Sequence, residues 1–91
     1  GKDLWGSFLV YNIVFTERAL KDLERLSKEV KERIASKLKE YSIKPFKYAR
    51  KLNNQKIGEY RFRMGDYRII FDHDGNKIII LRIGHRKDIY D

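Results

Sequence analysis

Tyr60-Arg61-Phe62-Arg63-Met64-Gly65-Asp66-Tyr67-Arg68-Ile69-Ile70-Phe71 is the stretch on which the fold turns. Its first five residues alternate apolar and basic, the period of two expected of a strand with one face in a core and the other in water. Gly65-Asp66 supplies a two-residue turn, and Tyr67 to His73 resumes as a second strand. Asp74-Gly75 then turns the chain into Lys77 to Ile83. The second half therefore predicts three consecutive antiparallel strands, a meander.

Upstream the period is different. Phe8 to Phe15 is β-branched and aromatic and reads as a strand that stops at Thr16, a good helix N-cap. Ala19, Leu20, Leu23 and Leu26 recur at helical spacing. Ser27 can end that helix and cap the next, whose apolar stripe is Val30, Ile34, Leu38 and Tyr41. Two helices joined this tightly form a hairpin. Lys44 to Gly58, opened by Pro45, is the least periodic stretch and predicts a turn of helix followed by a loop. The order is β-α-α-β-β-β, an α+β domain whose helices cover one face of the meander, with Leu9 to Phe15 pairing on the same sheet.

The 91 residues suit a single domain with one thin core. Gly1 to Ser7 reads as a tag or disordered leader and 8–91 as the domain. The absence of cysteine excludes disulfides, thiolate metal sites and a thiol nucleophile. No apolar run approaches the ~20 residues of a membrane span, so a cytoplasmic protein is expected. The formal net charge is +8, spread evenly as +4 before and +4 after the Ala49–Arg50 bond. Basic residues thus lie within folded segments rather than in a tail, and the excess points to a polyanionic or acidic partner.

Tyr60, Phe62 and Met64 share one face of their strand, and Arg61 and Arg63 share the other. With the aromatic face in the core, the two arginines project together, where Arg68 and Arg82 on neighbouring strands are expected to join them. Like charges clustered on one face repel one another unless an anion lies over them, and so the cluster favours phosphate. Gly84-His85-Arg86-Lys87-Asp88-Ile89-Tyr90-Asp91 then brings imidazole, guanidinium and phenol into one short segment. RNA is cut without a metal when its own 2′-OH attacks the adjacent phosphate, given a proton acceptor, cations and a proton donor. Arginines supply the charge, and His85 or Tyr90 the proton work. His73, flanked by Asp72 and Asp74, reads as a turn residue. No cluster of Asp, Glu and His has metal-ligand spacing, and no cofactor is called for.

The string from Gly58 to Phe71, followed after a hairpin by Ile83-Gly84-His85-Arg86-Lys87-Asp88-Ile89-Tyr90, resembles the RelE/ParE superfamily of toxins. Phe15-Thr16-Glu17-Arg18-Ala19-Leu20-Lys21-Asp22-Leu23 is similar to that family's strand-to-helix junction. The arginine-rich strands and the G-H-R-x-x-x-Y end look more like the RelE branch. The resemblance implies a RelE-like fold and a toxin of a type II toxin-antitoxin system that cleaves mRNA in the ribosomal A site. Its partners would be ribosome-bound mRNA and a cognate RelB-like antitoxin, in an assembly such as a heterotetramer, with no membrane involved.

Residue by residue, the resemblance implies that Arg61 and Arg63 stand at two basic positions of the catalytic strand. Arg68 matches the phosphate-binding arginine, Arg86 a second arginine, and Tyr90 the terminal tyrosine that orients the substrate base. The family pattern has lysines where this chain has Arg61 and Arg63, and a guanidinium is a poor proton acceptor. On the chemistry of imidazole, His85 is the favoured general base. Two alternatives stay open at this point: a ParE-like inhibitor of DNA gyrase, and a non-catalytic RNA-binding module using tyrosines as stacking platforms.

Overall fold

The computed structural model describes residues 11–53 and 56–89. The leader expected over Gly1–Ser7, the first residues of the expected strand Phe8–Phe15, and Tyr90 lie outside the described residues. Strand β1 spans Asn12–Phe15, helix α1 Glu17–Glu24, helix α2 Lys28–Tyr41 and the short helix α3 Pro45–Tyr48. Strands β2 to β5 follow at Arg50–Lys51, Tyr60–Met64, Tyr67–Asp74 and Lys77–His85.

Local chemistry sets the helix boundaries. The Thr16 Oγ1 accepts from the Ala19 N–H at 3.1 Å, capping α1, and also donates to the Leu81 carbonyl at 3.3 Å, which ties the cap to the sheet. The Ser27 Oγ caps α2 by accepting from the Val30 N–H at 3.2 Å. Pro45 opens α3, where its missing N–H costs nothing.

The sheet has the order β1-β5-β4-β3-β2. β2 to β5 run antiparallel, and β1 is parallel to β5, pairing Asn12 to Phe15 with Lys77 to Ile80. The predicted meander is therefore present and is extended at both edges. The two-residue β2 was expected to be loop. Only its pairing with β3 makes it a strand, and nothing local in Arg50-Lys51 signals it.

The main core lies between the sheet and the helices: Phe62, Phe71, Ile69, Ile78 and Ile80 on the strands meet Ile34 and Leu38 of α2. Tyr60, Phe71 and Phe62 stack in series across β3 and β4, with centroid separations of 5.5 and 4.4 Å. A second, smaller cluster of Leu52, Ile70 and Ile89 forms apart from it. It exists because the chain turns back after β5, where the Asp88 and Ile89 N–H groups both donate to the His85 carbonyl at 2.9 and 3.0 Å.

The pairing of β4 with β5 skips a residue, since Ile70 faces Arg82 whereas Phe71 faces Ile80. Leu81 is the extra residue of a β-bulge, which shifts the phase of alternation so that both Ile80 and Ile83 reach the main core.

Candidate functional site

Cross-strand register assembles the arginines that alternation places on one face. Arg63 stands directly across from Arg68, and Arg61 is paired on its other side with Arg50 of β2. The turn after β5 returns Arg86 to the same place: its N–H donates to the Asp66 carbonyl at 2.7 Å, and its Nε lies 3.6 Å from the Asp66 carboxylate. The result is a cleft of about 590 Å³ lined by Arg61, Arg63, Arg68 and Arg86 together with Lys51 and Lys87. Leu52, Asn53 and Ile57 complete the lining, so among the described residues no carboxylate faces this space.

Arg68 differs from its neighbours. It is 6% exposed, and its Nη1 donates to the Gly65 carbonyl at 2.8 Å and to the Tyr67 carbonyl at 2.9 Å. The turn between β3 and β4 thus holds the guanidinium in one orientation. Arg63 is exposed and Arg61 half-buried, so the cleft combines one fixed cation with several adaptable ones. A site of this kind binds an anion with more than one oxygen to offer, such as a phosphodiester, and a guanidinium can do so bidentately.

Arg82 does not join the cluster. Although it is paired with Ile70, its Nε donates to the Asp22 carboxylate of α1 at 2.8 Å, and the same carboxylate oxygen accepts from the Ile83 N–H at 3.0 Å. The reason lies in the lengths of the strands. The pairing of β1 with β5 ends at Phe15 and Ile80, so α1 satisfies the exposed edge of β5 beyond that point and draws Arg82 round to it.

His85 is separated from the arginines as well. β5 continues two residues past the expected end at Ile83, and alternation within it puts Gly84 across from Arg68 but His85 across from Tyr67. The imidazole stands edge-on to the Tyr67 ring, 5.7 Å between centroids, and lines a different hollow of about 310 Å³ with Asp22, Arg25 and Arg82. Its Nδ1 accepts from the Lys87 N–H at 3.2 Å. Among the described residues His85, the expected base, is not part of the lining of the arginine cleft. His73, expected in a turn, lies at the end of β4 with its Nε2 2.7 Å from the Gly75 carbonyl.

Lys51 and Lys87 are lining groups that sequence reasoning missed, as it missed Arg50, which stands across from Arg61 outside the cleft lining. Lys51 and Arg50 fall in the segment read as loop. The signal for Lys87 is its place one residue beyond Arg86.

Residues 13–90 match the sequence family described as ParE toxin of type II toxin-antitoxin system, parDE. The chain is 34% identical to Toxin RelE3 of Methanocaldococcus jannaschii over 83 residues, which covers 87% of this chain and 94% of that toxin. It is 29% identical to Toxin RelG of Mycobacterium tuberculosis over 83 residues, covering 88% and 95%. The crystal structure of the toxin-antitoxin complex RelBE2 from Mycobacterium tuberculosis superposes with a TM-score of 0.77 at 26% identity, covering 86% of this chain and all of that one. The RelB-RelE antitoxin-toxin complex from Methanococcus jannaschii gives 0.68 at 31% identity, covering 86% and 95%.

Proposed function

We propose, since this chain belongs to the ParE toxin family of type II toxin-antitoxin systems and is similar throughout to RelE toxins, that it is an endoribonuclease which cleaves mRNA in the ribosomal A site. The observation that carries this reading is the cleft lined by four arginines and two lysines with no carboxylate among its described lining residues. A surface whose target is another protein has no need of guanidinium groups converging on a space whose described lining holds no carboxylate. A phosphodiester passing to a more highly charged transition state does.

In the reaction, the 2′-OH attacks the adjacent phosphorus and the bond to the 5′-oxygen breaks, which leaves a 2′,3′-cyclic phosphate and a 5′-hydroxyl. Arg68, fixed by its carbonyl contacts, is assigned to the non-bridging oxygens. Arg61, Arg63 and Arg86 add charge as it develops. An amine exchanges its proton far more readily than a guanidinium, so Lys51 and Lys87 are the lining groups assigned to take the 2′-OH proton and to return one to the leaving 5′-oxygen. Tyr90 keeps the base-orienting role implied by the family resemblance. Such a modest proton-transfer set relies on the ribosome to hold the RNA in line for attack.

The same reading gives the chain a RelB-like antitoxin as partner, by analogy with the solved complexes. The net charge of +8 favours rapid association with an acidic segment. Toeprinting of a translating mRNA with added toxin tests the activity. New 3′ ends at A-site codons are expected. Intact mRNA together with loss of gyrase supercoiling would overturn the proposal.

A further inference from the structure

The arginine cleft does not end at Arg61 and Arg63. Toward the outer edge of the sheet a second hollow, of about 310 Å³, is lined by these two residues and by Tyr48 and Arg50. Tyr48 closes α3 and lies 4.5 Å from Tyr41, ring centroid to ring centroid, in a stacked arrangement. Tyr41 is buried in the main core. The Tyr48 ring is thus anchored on one side while 36% of the residue remains exposed, and the Lys47 ammonium lies 5.7 Å from its centroid. Two residues on, Arg50 is exposed on β2 directly across from Arg61. Among the described residues neither Arg50 nor Arg61 has a carboxylate partner. Like charges directly opposed on a sheet repel one another, and an anion between them turns that repulsion into binding.

An anchored aromatic ring beside a row of unneutralised cations is the pairing with which proteins hold a single-stranded nucleotide. The ring takes the base and the cations take its phosphate. We propose that Tyr48 and Arg50 form a subsite for the nucleotide flanking the scissile phosphate, with Tyr48 stacking on the base and Arg50 pairing with the adjoining phosphate. This rests on the assignment of the arginine cleft to the scissile phosphate and extends RNA recognition one nucleotide further toward the sheet edge. Arg61 and Arg63, which line both hollows, bridge the two positions.

NMR titration of the full chain with two uncleavable 2′-O-methyl RNAs, a dinucleotide and a tetranucleotide, tests the proposal. The tetranucleotide should bind on the order of tenfold more tightly, the gain expected of one stacked base. Tyr48→Ala and Arg50→Ala should each remove most of that gain and leave dinucleotide binding unchanged. Arg50→Ala should also lower the slope of log affinity against log salt by about 0.7, the value for one contact to a single-stranded phosphate, whereas Tyr48→Ala should not. Arg50 is exposed at the edge, so its replacement reads the subsite even where loss of the Tyr48 ring disturbs the core. A tetranucleotide gain intact in Arg50→Ala, with dinucleotide binding still weakened by Arg86→Ala, overturns the subsite alone. Dinucleotide binding indifferent to Arg86→Ala overturns the phosphate cleft and the subsite with it.

Discussion

Arg63 of β3 and Arg68 of β4 occupy directly opposed positions in the sheet, so two guanidinium groups face the same cleft from adjacent strands. Opposed like charges are destabilising, by a few tenths to about 1 kcal/mol per pair. Replacing the exposed member relieves the repulsion, and threonine suits a strand. Arg63→Thr should raise the urea midpoint by an amount equivalent to about 0.5 kcal/mol at low salt, and by less in 1 M salt where the charges are screened. It should also slow mRNA cleavage. A lowered midpoint would mean that Arg63 contributes packing that outweighs the repulsion.

Arg68 is predicted to be the most sensitive of the arginines, because its position is set by the Gly65 and Tyr67 carbonyls rather than by the substrate. Arg68→Ala should reduce single-turnover cleavage on ribosomes by about 2 to 4 kcal/mol of transition-state stabilisation, by analogy with loss of an oxyanion donor. Arg68→Lys retains the charge but not the planar fork, and should recover only part of the rate. Cleavage by Arg68→Lys at the parental rate would show that charge alone suffices there.

For proton transfer, the proposed roles of Lys51 and Lys87 follow from their place in the cleft lining. The imidazole of His85 faces Tyr67 and has its Nδ1 occupied by the Lys87 N–H, whereas Lys51 and Lys87 line the arginine cleft. His85→Ala should cleave within a few-fold of the parental rate. Lys51→Met or Lys87→Met should slow single-turnover cleavage by ~100-fold, the scale of one general acid or base, with ribosome binding little changed. The reverse pattern would return the imidazole to the chemistry.

The contrast between His85 and the arginines also shows what the sequence could convey. Arg61 and Arg63 were legible because strict alternation fixes the face of a strand whose apolar residues must be buried, whereas Arg68, on a strand apolar on both faces, is placed by its pairing with Arg63. The face of His85 depends on where β5 ends, and its continuation from Ile83 to His85 is a matter of pairing with Tyr67 and Arg68, not of composition. The bulge at Leu81 is a property of two strands together, and so are β2 and the parallel seating of β1 beside β5. Arg82 shows the same limit: its partner Asp22 lies 60 residues away in sequence, on a helix whose apolar stripe gave no hint that one acid on it would be buried.

That buried acid supports the last prediction. Asp22 is 7% exposed and accepts from both the Arg82 Nε and the Ile83 N–H, where the edge of β5 has outrun β1. Asp22→Ala leaves the Ile83 N–H without an acceptor in a buried setting, which should destabilise the fold by about 1 to 3 kcal/mol in urea denaturation. Asp22→Asn can still accept from Ile83 and should lose less. Arg82→Ala should cost less again, because Arg82 is 34% exposed and water replaces part of the interaction. A double-mutant cycle between positions 22 and 82 isolates the pair from the backbone contact. Since the strand end held by Asp22 leads directly into the turn carrying Arg86 and Lys87, hydrogen exchange of the Ile83 amide should accelerate in Asp22→Ala beyond what global destabilisation explains. If Asp22→Ala unfolds at the parental urea midpoint with Ile83 still protected, α1 is not the anchor of this edge, and the bulge alone must hold it.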